Sequence, residues 1–148
     1  MRWSELKRRV EGNFAPAIKS RVEVATTSQR LAADGAGEGW ISIDGARVVS
    51  ASSEDFKRAL FSSLTLSIDA MLASKSALLH ALAVLDRRFD KRRLETFEPR
   101  RETEPTRRIY ALRCAAEGLP RYAEDFLLVG GDGPRRGGES RDANKEGA

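Results

Sequence analysis

The fold is decided by the stretch Trp40-Ile41-Ser42-Ile43-Asp44-Gly45-Ala46-Arg47-Val48-Val49-Ser50. In it, two runs rich in β-branched residues flank the dipeptide Asp44-Gly45. Because a type I′ turn needs a positive φ at both central positions, Asp-Gly between such runs predicts a β-hairpin. Upstream, residues 21–26 alternate apolar with polar side chains, which is typical of a half-buried strand. The sequence therefore predicts three antiparallel strands in a meander.

Helical periodicity is found on both sides of these strands. Residues 4–12 carry apolar side chains at helical spacing and predict a short helix with Ser4 as its N-cap. A second helix is expected to begin near Ser52 and to bend near Thr65. The next, over residues 75–87, is apolar nearly all round, so it should lie at the centre of the core. A further helix is predicted over 106–117.

These elements predict an α+β fold: an N-terminal helix, a three-stranded antiparallel meander, and a helical C-terminal half packed on one sheet face. The chain has 148 residues, of which 41% are hydrophobic, enough for one globular core. We expect residues 1–129 to form a single domain. Residues 130–148 are rich in glycine and charge, and we expect them to form a disordered tail.

The composition excludes several classes of protein. One cysteine and one histidine rule out a disulfide framework and a multi-cysteine zinc site, and no metal or other cofactor is expected. The N-terminal residues lack the apolar stretch of a secretory signal. The longest apolar run, residues 77–85, is too short to cross a bilayer of about 30 Å. We therefore expect a cytoplasmic protein that does not enter a membrane.

The positive charge is concentrated in one part of the chain. The net charge is +4, yet residues 87–113 hold ten basic and five acidic residues. Such an excess favours binding to an acidic protein or a polyanion. We therefore expect a non-enzymatic binding or accessory protein. Alternatively, these arginines reflect the composition of the chain and form an ordinary solvated surface. Arginine outnumbers lysine 20 to 6 throughout the chain, not only in this segment. The candidate partner-binding residues are Arg87, Arg88, Lys91, Arg92, Arg93, Arg100, Arg101, Arg107 and Arg108.

Three other functions stay open. The basic residues favour non-specific nucleic-acid binding as one alternative, although few exposed aromatic residues are expected beside them. A small hydrolase or transferase would use His80 and Cys114, but each is more simply interpreted as a core residue. A structural role through dimerisation would use an exposed sheet edge or face. The oligomeric state is not predicted. Asp86 is expected to hold a neighbouring arginine in a structural salt bridge.

Four motifs together resemble a family of small uncharacterised bacterial proteins. They are Trp3-Ser4-Glu5-Leu6-Lys7, the Asp44-Gly45 hairpin, the block from Leu82 to Leu94 that contains Leu85-Asp86-Arg87-Arg88, and the block from Tyr110 to Leu119. The resemblance covers about residues 1–119 and implies a single cytoplasmic α+β domain. It implies no catalytic residue, substrate or cofactor. Asp90 stands where the family pattern has a glycine, so a left-handed turn is expected there.

Overall fold

The computed structural model describes residues 1–27 and 37–119. In this part of the chain, helices pack on one face of a three-stranded sheet. The elements in chain order are α1 (Trp3–Gly12), β1 (Val22–Thr26), β2 (Glu38–Ile43), β3 (Ala46–Ser52), α2 (Ser53–Ser63), α3 (Ile68–Ala73), α4 (Ala77–Leu85), α5 (Lys91–Thr96), a 3-10 helix (Pro99–Arg101) and α6 (Glu104–Ala116).

The three strands form the predicted antiparallel meander, in the order β1-β2-β3. Val24 lies opposite Ile41 in the first ladder, and Ile41 lies opposite Val49 in the second. Asp44 and Gly45 adopt φ values of 51° and 88° between β2 and β3. These left-handed values are the ones that a type I′ turn requires, so the prediction of a hairpin is confirmed.

The helices cover one face of the sheet. The side chains of Val22, Val24 and Ile41 are buried on this face, whereas Glu23 and Arg47 are exposed. Helix α1 contacts β1, and α2 contacts both β2 and β3. Helix α4 packs against α2, α3 and α6, and seven of its nine residues are buried. The α+β fold and the central place of the apolar helix are therefore confirmed.

Helix α2 approaches the sheet closely at Gly39. A Cβ atom built at Gly39 would overlap the ring and the Cβ of Phe56, a buried residue of α2. Only glycine gives the helix this room, because every other side chain begins with a Cβ. Gly39 therefore fixes the separation between sheet and helix.

Three local predictions were wrong. Helix α1 begins one residue earlier than expected, after Arg2, and Ser4 does not cap it. No bent helix passes Thr65: α2 ends at Ser63, and α3 begins after Ser67, whose hydroxyl accepts a hydrogen bond from the backbone N–H of Ala70. Serine competes well for backbone donors at a helix start, so a second cap replaces the bend.

The third concerns Asp90, which does not occupy a left-handed turn. Its φ is −85° and its ψ is −179°, and its carboxylate accepts a hydrogen bond from the backbone N–H of Arg93 over 3.0 Å. Asp90 is thus the N-cap of α5, a role that favours aspartate over glycine because the side chain supplies the acceptor.

Part of the predicted domain and the predicted tail lie outside the described residues. The domain prediction for 1–129 extends past Leu119, and the tail prediction covers only residues 130–148. Within 1–27 and 37–119, no helix has the length and hydropathy needed to span a bilayer.

Candidate functional site

The basic residues begin at the turn between α4 and α5, where Asp86 holds Arg88. Nε and Nη2 of Arg88 donate to the two carboxylate oxygens of Asp86 over 3.0 and 2.9 Å. The same guanidinium donates to the carbonyl oxygens of Leu66 and Ser63. Hydrogen bonding to Asp86 raises the pKa of Arg88, so the guanidinium stays charged. The structural salt bridge predicted for Asp86 is confirmed.

A second arginine stabilises this turn from below. The side chain of Arg113, on α6, is only 2% exposed. Its Nη1 donates to the carbonyl oxygens of Val84 and Asp86, and its Nη2 donates to that of Phe89 and to the carboxylate of Glu117. The last carbonyls of a helix lack partners within the helix. Arg113 satisfies such carbonyls at the end of α4 and joins them to α6.

The two arginines define a rigid corner between α4 and α5. The backbone N–H of Arg87 donates to the carbonyl oxygen of Asn13 over 2.8 Å, and that of Ala15 donates to the carbonyl oxygen of Leu85 over the same distance. The segment after α1 is therefore attached to the corner as well. Side chains on this corner are presented by a well-supported backbone.

Several of the candidate partner-binding residues are engaged within the molecule. Arg93 pairs with Asp69 over 2.9 Å, and Arg107 donates to the carbonyl oxygen of Glu102. Arg101 and Arg108 pair with acidic residues three or four positions earlier, Glu98 and Glu104. Exposed pairs of this kind contribute about 0 to 1 kcal/mol each, so an incoming anion can compete with them at low cost.

The remaining candidates are exposed and make no side-chain ion pair or hydrogen bond with the described part of the chain. Three of them, Arg87, Lys91 and Arg92, lie at the corner, and we call them the corner cations. The fourth, Arg100, lies on the 3-10 helix. Lys91 and Glu95 have the i,i+4 spacing that often forms an ion pair, yet no such pair is formed within the described ranges.

The aromatic residues near the corner pack against one another. The rings of Phe89 and Phe97 meet edge to face with centroids 5.3 Å apart, and Phe97 lies 5.2 Å from Tyr110. Phe89 is buried and Phe97 is half-buried. None of these three rings is presented as a flat surface on which a nucleotide base could stack.

A groove of about 310 Å³ lies beside the corner. Its walls combine apolar side chains with charged ones that are already paired: Leu72, Phe89, Arg93, Thr96, Phe97, Glu98, Arg101 and Glu102. Arg93 and Arg101 are neutralised by Asp69 and Glu98. The groove thus provides a concave surface next to the corner cations but contributes little net charge.

His80 is held by two acceptors. Its Nδ1 lies 2.8 Å from a carboxylate oxygen of Glu102, and its Nε2 lies 2.6 Å from the carbonyl oxygen of Ser74. A carbonyl oxygen can only accept, so Nε2 donates to Ser74. Both ring nitrogens are therefore occupied by structural contacts that join α4 to the segments before α4 and α6.

Cys114 is fully buried on α6, as expected of a core thiol. Burial raises its pKa, although hydrogen bonding to Tyr110 and the charge of Arg113 act in the opposite direction. A thiol that keeps its proton and does not reach solvent is a poor nucleophile. The structure also gives no hydrogen bond between Cys114 and His80. This placement does not favour the hydrolase or transferase alternative.

The sequence profile of the SF0329 protein family matches residues 2–54 and 50–114, well over half of the chain. The chain belongs to the SF0329 protein family. This confirms the resemblance to a small uncharacterised family, and no residue role comes with the SF0329 match. The matched residues include the whole α4–α5 corner and Arg113. No curated protein and no solved structure matches the chain.

The sequence analysis included Arg113 in the basic excess of residues 87–113 and did not predict that its side chain is buried. Thr106, Ile109 and Tyr110 are buried on one face of α6. Arg113 lies on the same face, four positions after Ile109 and three after Tyr110. Its place on the apolar face was the available signal. No sequence pattern indicated its acceptors, because they are backbone carbonyls on another helix.

Proposed function

We propose that this protein is a non-enzymatic binding or accessory protein of the cytoplasm that binds an acidic protein through the corner cations. The observation that carries the proposal is that Arg87, Lys91 and Arg92 are exposed and unpaired within residues 1–27 and 37–119, while the arginines around them are paired with carboxylates. Their positive charge is therefore available to a ligand. The name of the SF0329 family states no activity, so the proposal rests on the geometry of this chain.

The positions of the cations support binding rather than helix stability. Lys91, Arg92 and Arg93 occupy the first turn of α5, and no acidic residue lies in that turn. Positive charge near a helix N-terminus is unfavourable, by about 0.3 to 1 kcal/mol per charge at an exposed site. The cap by Asp90 offsets part of this cost. Arg93 pairs with Asp69, but the fold of the described residues gives no such reason for Lys91 and Arg92.

The rigidity of the corner also supports the proposal. Asp86, Arg88 and Arg113 fix the backbone from which the corner cations project. A preorganised surface loses less conformational entropy on binding than a flexible one. The paired Arg93 and the nearby groove would border the bound partner.

An acidic protein is preferred to nucleic acid because the aromatic rings beside the corner are packed together. Non-specific nucleic-acid binding is the second candidate. It would use phosphate contacts alone, and the exposed guanidinium groups favour it because each can bind a phosphate.

The proposal is tested by titrating the full chain into two labelled probes, a polyglutamate peptide and a single-stranded oligonucleotide, and following fluorescence anisotropy. We expect binding to polyglutamate that weakens as salt is added, because exposed charges are screened. Tighter binding to the oligonucleotide, with a steep fall of log K against log salt, would replace the first candidate with the second. Binding to neither probe at low salt would overturn both.

A further inference from the structure

The two edges of the sheet differ in their exposure to a partner strand. At the β1 edge, Nζ of Lys7 donates to the carbonyl oxygen of Val24 over 2.6 Å, and the backbone N–H of Val24 donates to the carboxylate of Glu11 over 2.9 Å. Side chains of α1 thus occupy backbone groups that another strand would need. Natural proteins commonly block sheet edges in this way.

The β3 edge is not blocked by any described residue. Apart from its ladder with β2, the backbone of residues 46–51 makes no hydrogen bond within the described chain. The strand Ala46–Ser52 contains no lysine, proline or inward-facing charge, and its β-bulge at Val48 leaves residues 49–52 as a regular edge. Ala46, Arg47 and Ser50 are exposed along it. Among the described residues, none bonds to its outward backbone groups.

An apolar cleft lies directly beside this edge, under the sheet. The cleft has a volume of about 390 Å³ and lies between β3, α2 and α4. Its apolar walls are Ala51, Ala59, Leu78 and Leu79, and its polar rim is formed by Asp55, Arg58, Ser62 and Ser76. A strand added to β3 would turn every second side chain toward this side of the sheet.

From these two observations we propose that a second copy of this chain pairs with β3, so that two β3 strands join two sheets into one six-stranded antiparallel sheet. A twofold interface uses the same surface on both copies. The proposal does not rest on the proposed function, because the corner cations lie on other elements.

The sequence of β3 is complementary to itself in one register. With Ser50 on the twofold axis, Ser50 faces Ser50, and Val49 of each copy faces Ala51 of the other. Val49 lies opposite the buried Ile41 and Ala51 opposite Gly39, so both are on the core side of the sheet. The half-buried Val49 of the second copy would then lie next to the apolar cleft, of which Ala51 is part.

Charge does not oppose this register. Arg47 is the one charged residue of β3, and it is held on the outer face of the sheet, where it lies over the Trp40 ring and pairs with Glu38 over 2.8 Å. The register places it level with Ser53 of the second copy, so no two like charges stand directly opposite each other in the new ladder.

The experiment is sedimentation of the full chain across the micromolar range. We expect a concentration-dependent species of twice the 16.4 kDa chain mass. Ser50→Lys and Ser50→Glu should each be monomeric, because like charges would meet on the axis, whereas an equimolar mixture of the two variants should form the dimer again. Ser50 is exposed, so both variants should fold.

The matched control is Ser20→Lys, which adds the same charge at an exposed position before β1, at the other edge of the sheet. It should dimerise as the unmodified chain does. A chain that stays monomeric at every concentration would overturn the proposal. So would a dimer that both Ser50 variants leave intact, or a variant mixture that remains monomeric.

Discussion

Arg113 donates through Nη2 to the carbonyl oxygen of Phe89 over 2.6 Å, and so connects α6 to the turn that precedes α5. The same guanidinium bonds two carbonyls at the end of α4. One buried side chain thus determines where the corner lies relative to the core. With the described residues, the corner cations make no comparable contact. The charge that stabilises this region and the charge proposed to bind a partner therefore belong to different residues.

Replacing Arg113 should destabilise the fold strongly. Arg113→Ala removes the donor from the carbonyl oxygens of Val84 and Phe89, while that of Asp86 keeps the backbone N–H of Phe89. Because Glu117 also loses its buried partner, the free energy of unfolding should fall by about 3 to 5 kcal/mol. Arg113→Lys keeps the charge but has fewer donors, so its loss should be intermediate. Urea denaturation measures both. Arg108→Ala is the control, since it removes only an exposed pair with Glu104 and should cost about 0.5 kcal/mol. Equal losses for Arg113→Ala and Arg108→Ala would contradict the structural role of Arg113.

The buried thiol should make stability depend on pH in the alkaline range. Burial raises the pKa of Cys114, so the folded chain keeps the thiol proton at a pH where the unfolded chain loses it. The unfolded state then binds fewer protons, and stability must fall as the pH rises above about 8.5, until the pH passes the folded-state pKa. The stability advantage of the unmodified chain over Cys114→Ala should therefore shrink between neutral and alkaline pH. A difference that is constant with pH would count against a buried, protonated thiol.

Gly39 should tolerate no side chain. Gly39→Ala places a Cβ against the ring of Phe56, and separating the helix from the sheet should cost about 1 to 3 kcal/mol. Gly12→Ala is the matched control, because no atom lies within 4 Å of its Cβ position. That control should be neutral or slightly stabilising, since alanine restricts the unfolded chain more than glycine. Thermal unfolding of both variants distinguishes the two effects, and a Gly39→Ala protein as stable as the parent would refute the close approach.

Much of the fold could be predicted because it depends on local patterns. The Asp44-Gly45 turn requires two left-handed residues, and alternation on either side of it defines strands. The helix bounds were less predictable, since serine near Thr65 begins a new helix where continuous apolar spacing suggested a bend. In each case, the residues that form the signal are close to one another in the sequence.

The candidate site was less predictable because its contacts are distant in sequence. Whether Arg93 is available depends on Asp69, which lies 24 positions earlier. Whether Arg113 is a surface charge depends on carbonyls 24 to 29 positions earlier. Charge counting gives the same weight to paired, buried and unpaired arginines. Only the three-dimensional structure distinguishes the corner cations from the others.

The central claim is that Arg87, Lys91 and Arg92 bind an acidic partner, and charge reversal tests it most directly. The measurement is the affinity for labelled polyglutamate of the triple variant Arg87→Glu, Lys91→Glu, Arg92→Glu, compared with the control Arg2→Glu, Arg8→Glu, Lys75→Glu. The control reverses three other exposed cations that make no described side-chain contact, so both variants have the same net charge. We predict that the corner variant loses binding at least about tenfold more than the control, a difference of about 1.4 kcal/mol. Equal losses in the two variants would show that only net charge matters and would contradict the claim.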